Sequence, residues 1–268
     1  MHIDSEVHFW KYGKSLVSQT IRENKLMQQD YLPEHMALSF NRNEIDGCIA
    51  VAVEPLDVET RFLSELALTH PVIKGVVGWL DLNGPNAIEK IEAFQQYQSI
   101  RGYRLDIGKN GLPSPEVMEV LKTNLYSLDL TIGVNSETDI IHWIQLYPDH
   151  LFIIQDCAGP DAKQPPTKKW ESDIRALAKN QNLSCKLSGL FTTGNGKSWK
   201  PADFYPFLEI LFDSFGADRL LYASDWPFLL LNGIYVQWKS LLEKFTERLS
   251  LDDRDKFFGE NAVRLYRL

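Results

Sequence analysis

Asp225 stands where an apolar run, Leu220-Leu221-Tyr222-Ala223, gives out, and Trp226-Pro227 follow it directly. Proline cannot continue a β-ladder and restricts the residue before it, so the run ends there. A carboxylate at the C-terminal end of a buried strand is a common place to find chemistry, depending on what other strands bring to meet it. Other runs bring company. Asp4, Glu6 and His8 are spaced two apart, and a strand puts such residues on one face. Arg104 and Asp106 share a face in the same way, as do Lys186 and Ser188. Glu54, Asp81, Asn135, and Gln155 with Asp156 end four further runs. Both signs of charge gathered in one pocket shift pKa values and support acid–base chemistry.

Eight short apolar runs must position these groups: 3–9, 45–53, 73–80, 100–105, 128–134, 151–157, 183–190 and 220–223. Several are continuously apolar, as expected for parallel strands covered on both faces. Helical patterns lie between them, at 57–69, 83–98, from Ser114-Pro115, 136–146, 167–180, 201–215 and 234–249, with a last one at 252–265. Ser114 before Pro115 reads as an N-cap followed by proline at the first helical position. Alternation of eight strands with helices predicts an α/β fold, a TIM-like (β/α)8 barrel, in a single domain spanning 1–268. An open doubly wound sheet would carry a glycine-rich first turn, and no Gly-x-Gly-x-x-Gly occurs. In a closed barrel the eighth strand neighbours the first and seventh, which places Asp225 between His8 and Lys186. The long connections 10–43 and around Gly194-Asn195-Gly196 are expected over the mouth.

The bulk numbers narrow the function classes. Of the 268 residues 44% are hydrophobic, enough for a large core, and the net charge of −8 disfavours nucleic-acid and anionic-membrane surfaces. Cys48, Cys157 and Cys185 are an odd count without a Cys-x-x-Cys pair, so they read as core residues in a reducing compartment. The N-terminal residues lack the pattern of a signal peptide, and no apolar stretch is long enough to span a bilayer. A cytoplasmic protein is expected, and self-association into a homo-oligomer is left open.

Ile3-Asp4-Ser5-Glu6-Val7-His8-Phe9-Trp10 resembles the opening motif of the sugar-lactone and dicarboxylate-lactone hydrolase branch of the amidohydrolase superfamily. Tyr31-Leu32-Pro33, 75–82, Lys186-Leu187-Ser188-Gly189-Leu190, Ser224-Asp225-Trp226-Pro227 and Gly259-Glu260-Asn261-Ala262 are similar to further motifs of that branch, in order along the chain. The resemblance implies a (β/α)8 barrel and a hydrolase acting on a cyclic ester. It implies Asp225 as general base, and His8, Arg104 and Lys186 as groups that polarise or bind an anionic or polyhydroxy small molecule. Trp10 and Trp226 are candidate walls for a sugar ring. Three family histidine positions are filled here by Glu6, Leu105 and Asp156, so a histidine-rich binuclear metal site is not available. What the positions offer is one divalent ion, zinc or manganese, on Glu6, His8, Asp156 and Asp225, or catalysis without metal in which Arg104 and Lys186 stabilise an oxyanion. A decarboxylase or amide hydrolase on the same fold, and a binding protein without turnover, are the alternatives.

Overall fold

The computed structural model describes residues 1–13, 19–132, 137–194 and 198–268. Asn135, Ser136, Asn195 and Gly196 lie outside them. Within the described residues eight strands form one parallel sheet in chain order: β1 (Ile3–Val7), β2 (Gly47–Val51), β3 (Ile73–Gly78), β4 (Ile100–Asp106), β5 (Ser127–Thr131), β6 (Phe152–Ile154), β7 (Leu183–Leu187) and β8 (Leu220–Tyr222). The sheet closes on itself just past the ends of β1 and β8. Val7 bridges Trp226 in parallel, Asp225 N donates to Glu6 O at 3.1 Å, and His8 N donates to Trp226 O at 2.7 Å. The barrel predicted from alternation is therefore present.

Local chemistry accounts for the elements. Ser114 Oγ accepts from Val117 N and starts the helix Pro115–Thr123; Thr167 Oγ1 accepts from Trp170 N and starts the helix Lys168–Leu177. The helix predicted over 252–265 is instead divided. Leu251–Asp255 is followed by a π turn at Lys256–Glu260 and then by Asn261–Tyr266. Gly259 in that turn lies against the start of the chain: a Cβ there would be 1.7 Å from Met1 O, so no side chain fits.

Two apolar layers result. The larger lies between sheet and helices and holds all three cysteines, buried and unpaired by disulfides. The smaller fills the lower barrel with Ile3, Ile49, Val51, Val77, Ile153 and Leu221, and Ala262, Leu265 and Tyr266 of the last helix plug it from below. Among the described residues no helix is long and apolar enough to cross a membrane.

One expectation about β1 is corrected. Asp4, Glu6 and His8 do not share a face. The register against β2 shifts between Asp4 and Val7, which pair with Cys48 and Ala50. The irregularity breaks the period of two, so Asp4 points to the helix layer while Glu6 and His8 point into the barrel. Asp4 accepts from Ser224 N at 2.9 Å and from the Tyr235 hydroxyl at 2.9 Å. It ties the barrel seam to the helix Tyr235–Thr246 and takes no part in the pocket.

Candidate active site

His8 and Asp225 meet across the seam. His8 Nδ1 lies 2.8 Å from Val51 O. A carbonyl only accepts, so Nδ1 carries the hydrogen and Nε2 is the free nitrogen. Nε2 stands 3.2 Å from Asp225 Oδ1 and 3.8 Å from Glu6 Oε1. The second oxygen of Asp225 accepts from Thr192 Oγ1 at 2.5 Å, and Glu6 Oε2 accepts from Ser188 Oγ at 2.7 Å. Each carboxylate thus has one oxygen fixed by a hydroxyl and one near His8.

The electrostatics follow from burial and like charge. Burial pushes the Asp225 carboxyl above its usual range, the charge of Asp156 adds to this, and the His8 hydrogen bond opposes it. Burial alone depresses the His8 imidazolium, but the hydrogen bond and charge of Asp225, with Glu6 behind, outweigh it and the pKa rises. Asp156 is raised to about 6 by burial first and then by the charge of Glu6. Three carboxylates around one imidazole favour a bound proton.

The backbone at both aspartates is held in the left-handed region. Asp225 has φ 58°, and Asp156, Cys157, Ala158 and Gly159 form a left-handed turn with φ of 52°, 51°, 61° and 66°. Such conformations cost roughly 1–2 kcal/mol per non-glycine residue and persist where the surroundings over-determine them. Here Asp156 N donates to Ser188 Oγ at 3.0 Å and Trp170 Nε1 donates to Cys157 O at 2.9 Å. A cleft of about 850 Å³ opens beside this turn, bounded by Gly159, Pro160, Lys163, Thr192 and Asn232 among others. Thr192 thus belongs both to the cleft wall and to Asp225.

Arg104 joins the pocket from β4. Its Nε donates to Thr131 Oγ1 at 3.2 Å and an Nη to Ala52 O at 3.1 Å, and Thr131 in turn donates to Gln155 Oε1 at 3.1 Å. Arg104 is not consumed by Asp106, which pairs with Lys109.

Lys186 is placed differently from expectation. It pairs in register with Leu221, four residues before Asp225, and so lies a level lower than the pocket. The side chain is fully buried, with Nζ 2.6 Å from Asp129 Oδ2 and 5.6 Å from the centre of the Tyr266 ring. The Tyr266 hydroxyl donates to the same Asp129 oxygen at 2.7 Å. Lys186 is therefore part of a charged floor rather than a neighbour of Asp225. Trp10 and Trp226 are likewise buried, each edge-to-face with Tyr31, and Phe228 leans on both Trp10 and His8. They form the wall behind His8.

Several participants had no strong sequence signal. Thr192 lies in a loop and the Val51 carbonyl is backbone. Asp129 was detectable, as the one charge inside Leu128-Asp129-Leu130, and Tyr266 was not, because it arrives from beneath the barrel.

Glu6, His8 and Asp225 also bear on metal binding. A neutral Nε2 facing two carboxylates presents a lone pair to negative oxygens, which calls for a proton or a cation between them. In donor chemistry the set fits a divalent ion in the proton's place. Among the described residues, however, no three His, Cys, Asp or Glu side chains stand arranged as a metal-binding group.

Comparison with known proteins gives a consistent picture. A family model described as Amidohydrolase matches residues 3–268. An L-fucono-1,5-lactonase of Burkholderia multivorans is 28% identical over 100% of this chain and 96% of its own length. One of Burkholderia ambifaria is 26% identical over 99% and 95%. A crystal structure of an amidohydrolase from Burkholderia multivorans with bound zinc superposes with a TM-score of 0.87 at 28% identity, covering 100% of this chain and 99% of that one.

Proposed function

The chain belongs to the amidohydrolase family, and from that membership and the geometry of its pocket we propose that it is a lactonase opening the ring of a sugar-acid lactone. The observation that carries this reading is the buried His8–Asp225 pair, 3.2 Å apart, with Thr192 fixing the other Asp225 oxygen. Relatives similar along nearly their whole length carry the name L-fucono-1,5-lactonase, which makes that lactone the first compound to try.

Asp225 accepts a proton from water as the water oxygen attacks the ring carbonyl carbon. His8, locked through Val51, holds Asp225 in place and, with Nε2 protonated, stabilises its charge. Arg104 favours an anionic or polyhydroxy substrate and supports the oxygen on which charge develops. The ring C–O bond then breaks, and the departing oxygen takes back a proton from the His8–Asp225 pair, leaving a hydroxy acid. A divalent ion, zinc or manganese, would have to draw on His8 Nε2, Glu6, Asp156 and Asp225 as its donors and would supply a Lewis acid for the carbonyl. Lys186 acts from below the pocket by holding its floor, and Trp10 and Trp226 wall it. The three reduced, buried cysteines suit the cytoplasm.

Proton release from a panel of aldonolactones tests the reading. Hydrolysis is expected in the wild type, and Asp225→Asn should lower kcat by roughly 10²–10⁴-fold, the usual worth of a positioned base. Turnover that survives this substitution unchanged removes Asp225 from the mechanism.

A further inference from the structure

Gln155, just past the end of β6, is 1% exposed, and its two amide ends have different fates. Oε1 is taken by the Thr131 hydroxyl at 3.1 Å. Thr131 in turn receives Arg104 Nε, so its own hydrogen is free to be given only onward to Gln155. This chain fixes the amide orientation: Arg104 donates to Thr131, Thr131 to Gln155, and Nε2 is left as the outer end. Nε2 is buried and, among the described residues, has no hydrogen-bond partner. A buried amide hydrogen without an acceptor carries a desolvation cost that native proteins rarely leave standing.

The neighbours say what the donor faces. β4, β5 and β6 contribute Arg104, Thr131 and Gln155 to one side of the barrel interior. β1 and the segment after β8 contribute Glu6, His8 and Asp225 to the other. His8 rests on the Val51 carbonyl and Arg104 on that of the next residue, Ala52, while Ser188 Oγ bridges Asp156 N and Glu6 Oε2, so the two sides share one small space. A polyhydroxy lactone placed there is rich in acceptor oxygens and turns some toward Arg104 and Gln155 while its carbonyl carbon faces Asp225.

We propose that Gln155 is a specificity-determining residue, donating Nε2–H to a substrate oxygen, with its amide pre-set by the Arg104–Thr131 hydrogen-bond chain. The inference rests on the lactonase reading and deepens it. A donor pre-set by the protein's own hydrogen bonds reads the ground state of the substrate, so its loss is felt in binding. It also explains why a glutamine is useful at this point: its carbonyl end is anchored and its amino end is available.

Gln155→Met keeps the side-chain length and removes the donor. With the lactone that the wild type turns over, KM is expected to rise roughly ten- to a hundred-fold, the range for leaving a buried partner unpaired, while kcat stays within about threefold. The corresponding aldonic acid, L-fuconate for the fucono-lactone, should raise the melting temperature of the wild type and fail to do so for Gln155→Met. Thr131→Val, which frees the amide to turn, should raise KM by a smaller factor. A merely structural Gln155 predicts the opposite pattern: a lower melting temperature with KM and product protection unchanged, and that result overturns the proposal. A wild type that hydrolyses no lactone overturns the lactonase reading and this inference with it; normal wild-type turnover with an unaltered KM in Gln155→Met overturns this inference alone.

Discussion

At the scale of the residue, burial and like charge govern the carboxylates of the site. Asp225 is raised by burial and by Asp156, so it takes up a proton at higher pH than an ordinary aspartate near 3.9. A base is lost when it is protonated. The acid limb of log(kcat/KM) is therefore expected above the ordinary carboxylate range, and Asp156→Asn, which removes a like charge, should move that limb to lower pH. A pH–rate profile of both proteins checks this, and a limb that stays put or moves up contradicts it. The meeting of His8 and Asp225 was legible because a closed barrel sets the eighth strand beside the first. Lys186 was only half legible. Alternation told that it faces inward, but its depth depends on strand register, and register is set by partners on other strands. Asp4 was misread for a related reason, since an irregularity in β1 is invisible until β2 is laid beside it.

Among the elements, two devices bring the groups together. One is the left-handed turn at Asp156–Gly159, held by Ser188 and Trp170, which swings the Asp156 carboxylate back over the barrel. Nothing in Asp156-Cys157-Ala158 announces such a turn, because the bonds that enforce it come from β7 and from the helix Lys168–Leu177. The other is the last helix, Asn261–Tyr266, which carries a hydroxyl up into the barrel to meet Asp129 and Lys186. Removing one partner of a buried ion pair leaves the other uncompensated and typically costs about 3–5 kcal/mol. Lys186→Met should lose stability of that order in a urea titration, and the double variant Lys186→Met with Asp129→Leu should recover most of it. A single variant as stable as the wild type removes the floor from the account. The strands and most helices, by contrast, were legible to within a few residues at their ends, though the helix Pro33–Arg42 in the 10–43 connection was not. Their periodicities of two and of 3.6 are local properties, and caps such as Ser114 and Thr167 act within three residues.

For the whole molecule, the layers divide the work. An apolar lower barrel and its helical plug lie lowest, a charged floor lies above them, and the proposed acid–base groups, His8 and Asp225, stand at the top. The eightfold alternation made the architecture readable from the sequence, since few folds satisfy it in a chain of this length. The vertical order of the layers was not readable, because it arises only when all eight strands take their stagger.

The seam has a consequence for how the molecule comes to life. His8 lies beside β1, near the first residues, and Asp225 beside β8, more than 200 positions later, and the two meet only through bonds such as His8 N to Trp226 O and Asp4 to Ser224. A chain with seven strands docked would have most of its helices and much of its fluorescence, yet no competent acid–base pair. Recovery of hydrolysis after dilution from denaturant is thus expected to lag behind far-ultraviolet circular dichroism, and catalysis becomes a chemical reporter of ring closure. Activity returning in step with the first secondary structure would show that the ends of the chain find each other early.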